Sequence, residues 1–322
     1  MTQAPAEAFD GQTLLSPEYL AALDVMPNFK FTPELLTAIR EQGIQMPFER
    51  TGLVISSDYT VPDTDIVVRV YRPAGNVDPL PAIYAIHGGG YVIGTYEMLD
   101  ATFERYCARL GCVGLSVEYR LAPEHAYPAA LDDCYAGLKW AVDNHEQLGI
   151  DLSCLGIQGT SAGGGLAAAL ALLVRDRGEI DLAFQVLECP MIDDRFLTPS
   201  CNLDRLAVWS RESNEFGWKS YLGDLYGSDD VPYTAAAARA VDLSGLPPAI
   251  VCVGGADGFR DEDIDYALRL SQAGVDTELH VYPGAPHGAQ IVADSPQAKQ
   301  WARDVEEWIS RRFASGGSRG SR

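Results

Sequence analysis

Read for hydrophobic pattern alone, the chain alternates short apolar runs with longer amphipathic stretches. Apolar runs at 53–56, 66–71, 82–86, 112–117, 153–158, 183–187, 249–253 and 277–282 are bounded by Gly, Pro or Asp and have the length of strands. Helical spacing at 98–110, 131–148, from Leu166 onward, 262–273 and 296–313 separates most of them. Strands alternating with helices of this length predict a mostly parallel, eight-stranded sheet covered by helices on both faces, an α/β fold. Residues 1–48 carry only short helical pieces. Ser16-Pro17 and Thr32-Pro33 each place an N-cap residue before a Pro at the first helical position. Pieces this short bury too little to fold alone, and one place for them is over a cleft. Between about 192 and 245 the period breaks into Gly, Asp, Pro and isolated aromatics, which predicts an inserted helical region. The remaining core then spans 49–314. The Ser/Gly/Arg tail 315–322 is predicted to be disordered.

One junction stands out. The run 153–158 leads into Gly159-Thr160-Ser161-Ala162-Gly163, and a helix of Ala and Leu follows. A G-x-S-x-G pattern arises by chance about once in ten chains of this length, so its context decides. Strand, Gly-flanked Ser and helix in that order form a nucleophile elbow. A Ser on so sharp a turn needs small neighbours, and the helix N-terminus behind it favours developing negative charge. The chain supplies its own control: Gly316 to Gly320, centred on Ser318, fits the same pattern but lies in the tail with no strand or helix around it.

Composition narrows the chemistry. A formal net charge of −21 disfavours nucleic acid and anionic membranes as partners. No run of 18 apolar residues predicts a membrane span, and the acidic N-terminus does not resemble a secretory signal. The seven cysteines are odd in number, scattered and without zinc-ligand spacing. They read as reduced core thiols, which predicts a cytoplasmic protein. Neither a dinucleotide glycine fingerprint nor a phosphate-loop Lys is present, so no cofactor and no metal is expected.

Four features fall at predicted strand ends, where such sheets bind ligands. Gly88-Gly89-Gly90 follows the run ending at Ile86, and Ser161 follows Gln158. Asp257 follows Val253 and His287 follows Tyr282, each through a glycine-containing loop. A Ser hydroxyl needs a base, and imidazole titrates near neutral pH, which selects His287. Asp257 would orient it, and the N–H groups of Gly89, Gly90 and Ala162 would hold the oxyanion. Among the other histidines, His280 lies inside a strand, His125 in a Pro-rich loop, His145 at a helix end, and His87 braces the glycine loop. Asp261, Glu262, Asp263 and Asp265 read as the start of a helix, where carboxylates suit the dipole. Asp193 and Asp194 remain as alternatives for the acid.

Taken together, HGGG at 87–90, YRLAPEHAYPAALDD at 119–133, GTSAGG at 159–164, ADGFRDED at 256–263 and PHG at 286–288 resemble the bacterial hormone-sensitive lipase family of carboxylesterases. The resemblance covers roughly residues 50 to 310. It implies an α/β-hydrolase core with a helical cap and hydrolysis of short- to medium-chain acyl esters. It also implies a Ser161–Asp257–His287 triad, oxyanion donors Gly89, Gly90 and Ala162, and a homodimer paired through the last strand and helix. Two motifs depart from the commoner pattern: Thr160 stands where the elbow usually has Asp, and Gly258-Phe259 replace Pro-Leu after the acid. The expectation is therefore a serine carboxylesterase for small, short-acyl esters of the acetyl type. Amides or thioesters would use the same groups. A binding protein on a hydrolase scaffold is disfavoured by the retained His287.

Overall fold

The computed structural model describes residues 10–23, 30–44, 48–291 and 294–316. The N-terminal stretch holds α1 (Pro17–Ala22) and α2 (Pro33–Gln42), followed by β1 (Val54–Thr60), β2 (Val67–Pro73), β3 (Leu80–Ile86), α3 (Asp100–Leu110) and β4 (Val113–Val117). Next come α4 (Ala129–Asp143), a single turn α5 (His145–Leu148), β5 (Ile150–Thr160), α6 (Ala162–Arg177) and β6 (Phe184–Glu188). The chain continues through α7 (Arg211–Leu222), β7 (Ala249–Gly254), α8 (Arg260–Gln272), β8 (Thr277–Tyr282) and α9 (Pro296–Gly316). The tail beyond residue 316, Ser318 included, lies outside the described residues.

The eight strands form one sheet in the order β1-β2-β4-β3-β5-β6-β7-β8. β2 pairs antiparallel with β1 and β4, and all other pairs are parallel. The central strands are apolar on both faces because helices cover both. Leu166, Leu170, Leu138 and Leu270, from α6, α4 and α8, pack in one core. Phe103, Tyr106, Trp301 and Trp308, from α3 and α9, pack in the other. Alanines on α6 let it approach the strands closely, and from Ala162 to Leu172 every residue is buried.

The predicted elements are present, with shifted boundaries. The strand before Ser161 starts at Ile150, three residues earlier than the apolar run, because Leu80 also pairs with Ile150 beyond a register shift. The helix expected from Met98 begins at Asp100 after a 3-10 turn, and the one expected over 131–148 breaks at Asn144 into α4 and α5. The segment 192–245 contains α7 and three short 3-10 turns; the rest is irregular chain pinned by burial. Of the two predicted N-caps, Thr32 accepts a bond from Leu35 N–H, whereas Ser16 makes no side-chain capping bond.

The N-terminal pieces pack at the carboxyl ends of the strands. Ser16 N–H donates to the Gly284 carbonyl at 3.1 Å, in the loop after β8. The buried Tyr19 hydroxyl lies 2.7 Å from Ser295 Oγ. Arg40 reaches from α2 to the carbonyls of Val92 (2.8 Å) and Ala122 (2.7 Å) in the two loops after β3 and β4.

Candidate active site

The elbow forms because β5 ends against α6 with no room for side chains. A Cβ on Gly159 would sit 2.0 Å from the Gly163 carbonyl oxygen, and one on Gly163 would sit 2.1 Å from that of Ile86. The turn leaves Ser161 at φ 57°, ψ −123°, a conformation costing on the order of 1–3 kcal/mol for a non-glycine residue. Its backbone is held on both sides: Ser161 N–H donates to the Glu188 carbonyl, and its own carbonyl accepts from Met191 and Gly165, all at 2.9 Å. The strain is therefore carried by β6 and α6, and Oγ is fixed above the sheet.

Two loops bring the partners. The loop after β7 and the loop after β8 are bonded to each other, Gly255 N–H to the Tyr282 carbonyl (2.7 Å) and Ala256 N–H to the Ala285 carbonyl (2.9 Å). This backbone pairing sets Asp257 beside His287. His287 Nδ1–H donates to Asp257 Oδ2 at 2.8 Å, and Ser161 Oγ–H donates to His287 Nε2 at 2.9 Å. A carboxylate only accepts, so it keeps the ring proton on Nδ1 and leaves Nε2 free to take one. Asp257 Oδ1 accepts from Phe259 N–H at 2.9 Å. The Phe259 ring meets the imidazole edge-on at 4.9 Å. Ser161, Asp257 and His287 are all buried.

The glycine loop after β3 faces this row. Gly89 and Gly90 have φ of 121° and 59°. The N–H groups of Gly89, Gly90 and Ala162 make no hydrogen bond among the described residues, whereas the Gly89 carbonyl accepts from Val92 and Ile93, both at 3.0 Å. The loop lies against the elbow: a Cβ on Gly88 would come 2.9 Å from the Thr160 carbonyl oxygen and 3.3 Å from the Ser161 Cβ. His87 lies beneath the loop, stacked on Tyr119 at 4.2 Å, with Nδ1–H donating to the Gly88 carbonyl at 2.8 Å. Burial pushes its pKa down to about 4, so it is neutral at pH 7 and supports the loop without exchanging protons.

The alternatives are placed elsewhere. Asp193 pairs with Arg195 and Asp194 with Arg239, each at 2.7 Å. His280 lies 2.8 Å from Glu278, His145 Nδ1–H donates to the Val142 carbonyl, and His125 is exposed. Asp261, Glu262 and Asp263 do form the first turn of α8. Two of them are not the solvated carboxylates that a helix start predicts: Glu262 and Asp263 are buried, and burial raises both pKa values well above the usual range.

Two aromatic residues that the sequence pattern does not single out, Trp209 and Phe31, also border the site. The structure puts the Trp209 indole against the glycine loop, so that a Cβ on Gly90 would lie 2.2 Å from its Cη2. The same indole is 6.3 Å from the His287 ring and 5.4 Å from Phe31, which stacks on Phe216 at 6.1 Å. An aromatic wall therefore bridges the glycine loop and the imidazole. Nothing local in the sequence distinguishes Trp209 from the other four tryptophans.

Among the described residues, Cys189, Asp257 and His287 form the group of three whose metal-ligand atoms lie within 4.8 Å of one another. Asp257 and His287 already share a proton there, and an ion would displace the bond that orients the imidazole. All seven cysteines are buried and unbridged. Among the described residues, no helix is long and apolar enough to cross a membrane.

Chemically, a strained Ser, an imidazole whose Nε2 accepts from the Ser hydroxyl, a buried carboxylate behind the ring and a glycine loop beside the elbow suit acyl transfer. Comparison with known proteins agrees. Residues 83–291 match the family model for the alpha/beta hydrolase fold. The chain is 39% identical over 264 residues to the carboxylesterase NlhH of Mycobacterium tuberculosis, covering 81% of this chain and 79% of that protein. Over 293 residues it is 31% identical to the esterase LipI of the same organism, covering 87% and 89%. Among solved structures, a bacterial heroin esterase superposes with a TM-score of 0.86 at 38% identity, covering 94% of this chain and 98% of that one.

Proposed function

We propose, from the premise that this chain belongs to the alpha/beta hydrolase fold family of the hormone-sensitive lipase type and is a carboxylic ester hydrolase, that it cleaves short-acyl esters of the acetyl type through Ser161, His287 and Asp257. The observation that carries the assignment is the continuous row Ser161 Oγ, His287 Nε2, His287 Nδ1, Asp257 Oδ2, with links of 2.9 and 2.8 Å. Ser161 Oγ attacks the ester carbonyl as His287 Nε2 takes its proton. Asp257 stabilises the imidazolium so formed. The carbonyl oxygen becomes an oxyanion held by the N–H groups of Gly89, Gly90 and Ala162, each lowering the barrier by roughly 3 kcal/mol. His287 returns the proton to the leaving alcohol and then activates water to hydrolyse the acyl-serine.

The short-acyl reading rests on the Trp209 wall, which limits the space beside the glycine loop. The pieces 10–23 and 30–44 and the segment 192–245 act as the cap: the start of α1 meets the loop after β8 that carries His287, α2 holds the loops after β3 and β4, and α7 lies against the glycine loop at Gly217. A cytoplasmic location is supported by the buried, unbridged thiols. A pair of copies joined across β8 is supported by its edge position and its half-exposed Leu279 and Val281; a purely monomeric sedimentation profile would refute it.

Treatment with a serine-directed organophosphonate, followed by peptide mapping, tests the site. Loss of p-nitrophenyl acetate hydrolysis in step with labelling of Ser161 is expected. Full activity in Ser161→Ala, or a label elsewhere, would overturn the assignment.

A further inference from the structure

We propose that Glu188 is a positioning residue for the acyl-transfer site: an anion that clamps the nucleophile strand to the loop bearing the base, and that Thr160 is needed beside it because the residue there must be neutral. This rests on Ser161 and His287 being the reacting pair.

Glu188 ends β6, the strand between the one that leads to Ser161 and the one that leads to Asp257. Its carbonyl holds Ser161 N–H. Its carboxylate is buried yet meets only neutral donors. Oε1 accepts from Gln158 Nε2 at 2.8 Å and faces Thr160 Oγ1 at 3.5 Å. Oε2 accepts from Trp301 Nε1 at 2.7 Å and lies 3.4 Å from Gln290 Nε2. Among the described residues, its donors Gln158, Thr160, Gln290 and Trp301 are all uncharged.

Each partner belongs to an element of the site. Gln158 and Thr160 precede Ser161 by three and one residues, and Gln290 follows His287 by three. Trp301 stacks on Tyr282, the last residue of β8, with ring centroids 4.6 Å apart. The carboxylate thus joins both sides of the 2.9 Å Ser161–His287 contact from behind. Turning the Gln158 amide toward Glu188 leaves its Oε1 buried without a donor among the described residues. Such an arrangement is costly if it only fills space, since apolar side chains would fill the same volume without it. What the carboxylate adds is geometry: two acceptor oxygens fix two elements that approach from different parts of the chain. A misplacement of about 1 Å between reacting groups costs on the order of 100-fold in rate.

The same contact accounts for Thr160. An Asp at that position would set a second carboxylate against Oε1 with no salt-bridging Lys or Arg among the described residues, and the two like groups would push apart. Asn matches Asp in shape but not in charge, so comparing Thr160→Asn with Thr160→Asp isolates the Glu188 anion without requiring Glu188 itself to change. For each variant, kcat and KM for p-nitrophenyl acetate are measured per folded molecule, with folding checked by circular dichroism. T160N should stay within about threefold of the parent. T160D should lose kcat by at least tenfold with little change in KM. In the double variant T160D/E188Q, activity should exceed that of T160D alone. E188Q by itself should lower kcat more than KM. Equal activity of T160D and T160N, or effects of T160D and E188Q that simply multiply, would overturn the proposal. Organophosphonate labelling of Ser161 in the unmodified enzyme keeps a failure of the triad reading distinguishable from a failure of this one.

Discussion

Replacing Trp209 by Ala tests how the wall sets acyl length. The indole lies on Gly90 with its ring centroid 6.3 Å from that of His287, so its removal opens space between the glycine loop and the imidazole. Each methylene of a longer acyl chain that enters this space, instead of remaining in water, is worth about 0.8 kcal/mol. Going from acetate to hexanoate adds four, or about 3 kcal/mol. At 1.36 kcal/mol per tenfold in rate, the hexanoate-to-acetate ratio of kcat/KM should rise by about 100-fold relative to the parent enzyme. The assay is a p-nitrophenyl series from acetate to laurate, run at fixed leaving group so that only the acyl part varies. Because truncating a buried Trp costs on the order of 3–5 kcal/mol of stability, Trp209→Leu provides a milder variant with a smaller shift in the same direction. Chain-length profiles that run parallel in parent, W209L and W209A would show that the acyl chain does not meet this wall, and the short-acyl reading would lose its structural basis.

Other outcomes follow from the same geometry. Asp257→Asn should preserve the fold but present an amide to His287 and favour the wrong ring tautomer, lowering kcat by about 10⁴-fold on the scale seen in other serine hydrolases; a loss below tenfold would remove Asp257 from the triad. Gly90→Ala should cost about 100-fold in kcat, because its Cβ collides with Trp209 at 2.2 Å and the backbone sits at φ 59°. In the W209A background the penalty of G90A should shrink, and an undiminished penalty would locate the problem in the backbone alone. Asp263 is buried with neither carboxylate oxygen partnered among the described residues, and burial, then Glu262 and Asp257, raises its pKa. A carboxyl raised in the fold contributes stability below its ordinary pKa near 4, which is lost as pH rises through the folded value. Asp263→Asn should therefore gain on the parent by about 1.4 kcal/mol per pH unit above pH 4, levelling off at the folded pKa, in urea unfolding from pH 5 to 9. A stability difference that does not vary with pH would show that Asp263 is not held protonated.

By itself, the sequence determined the sheet-and-helix alternation, the elbow and the chain order of Ser161, Asp257 and His287, because each is a local matter. Strand length, helix spacing and the need for small residues around a sharp turn are written within a dozen neighbouring positions. Asp257 could be preferred to Asp261 for the same reason: it precedes the helix start. The element boundaries moved where a neighbour supplied pairing that local pattern does not encode, as at Ile150 beside Leu80. Only the tertiary structure decided which helix-start carboxylates would be buried, that Asp193 and Asp194 would be engaged by Arg195 and Arg239, and that Trp209, among five tryptophans, would stand over Gly90. It alone joined Glu188 to Trp301, 113 residues further along the chain. Those outcomes depend on which surfaces meet when two loops and a sheet edge close on one another, and a carboxylate at a strand end looks the same in sequence whether it meets water or an indole N–H.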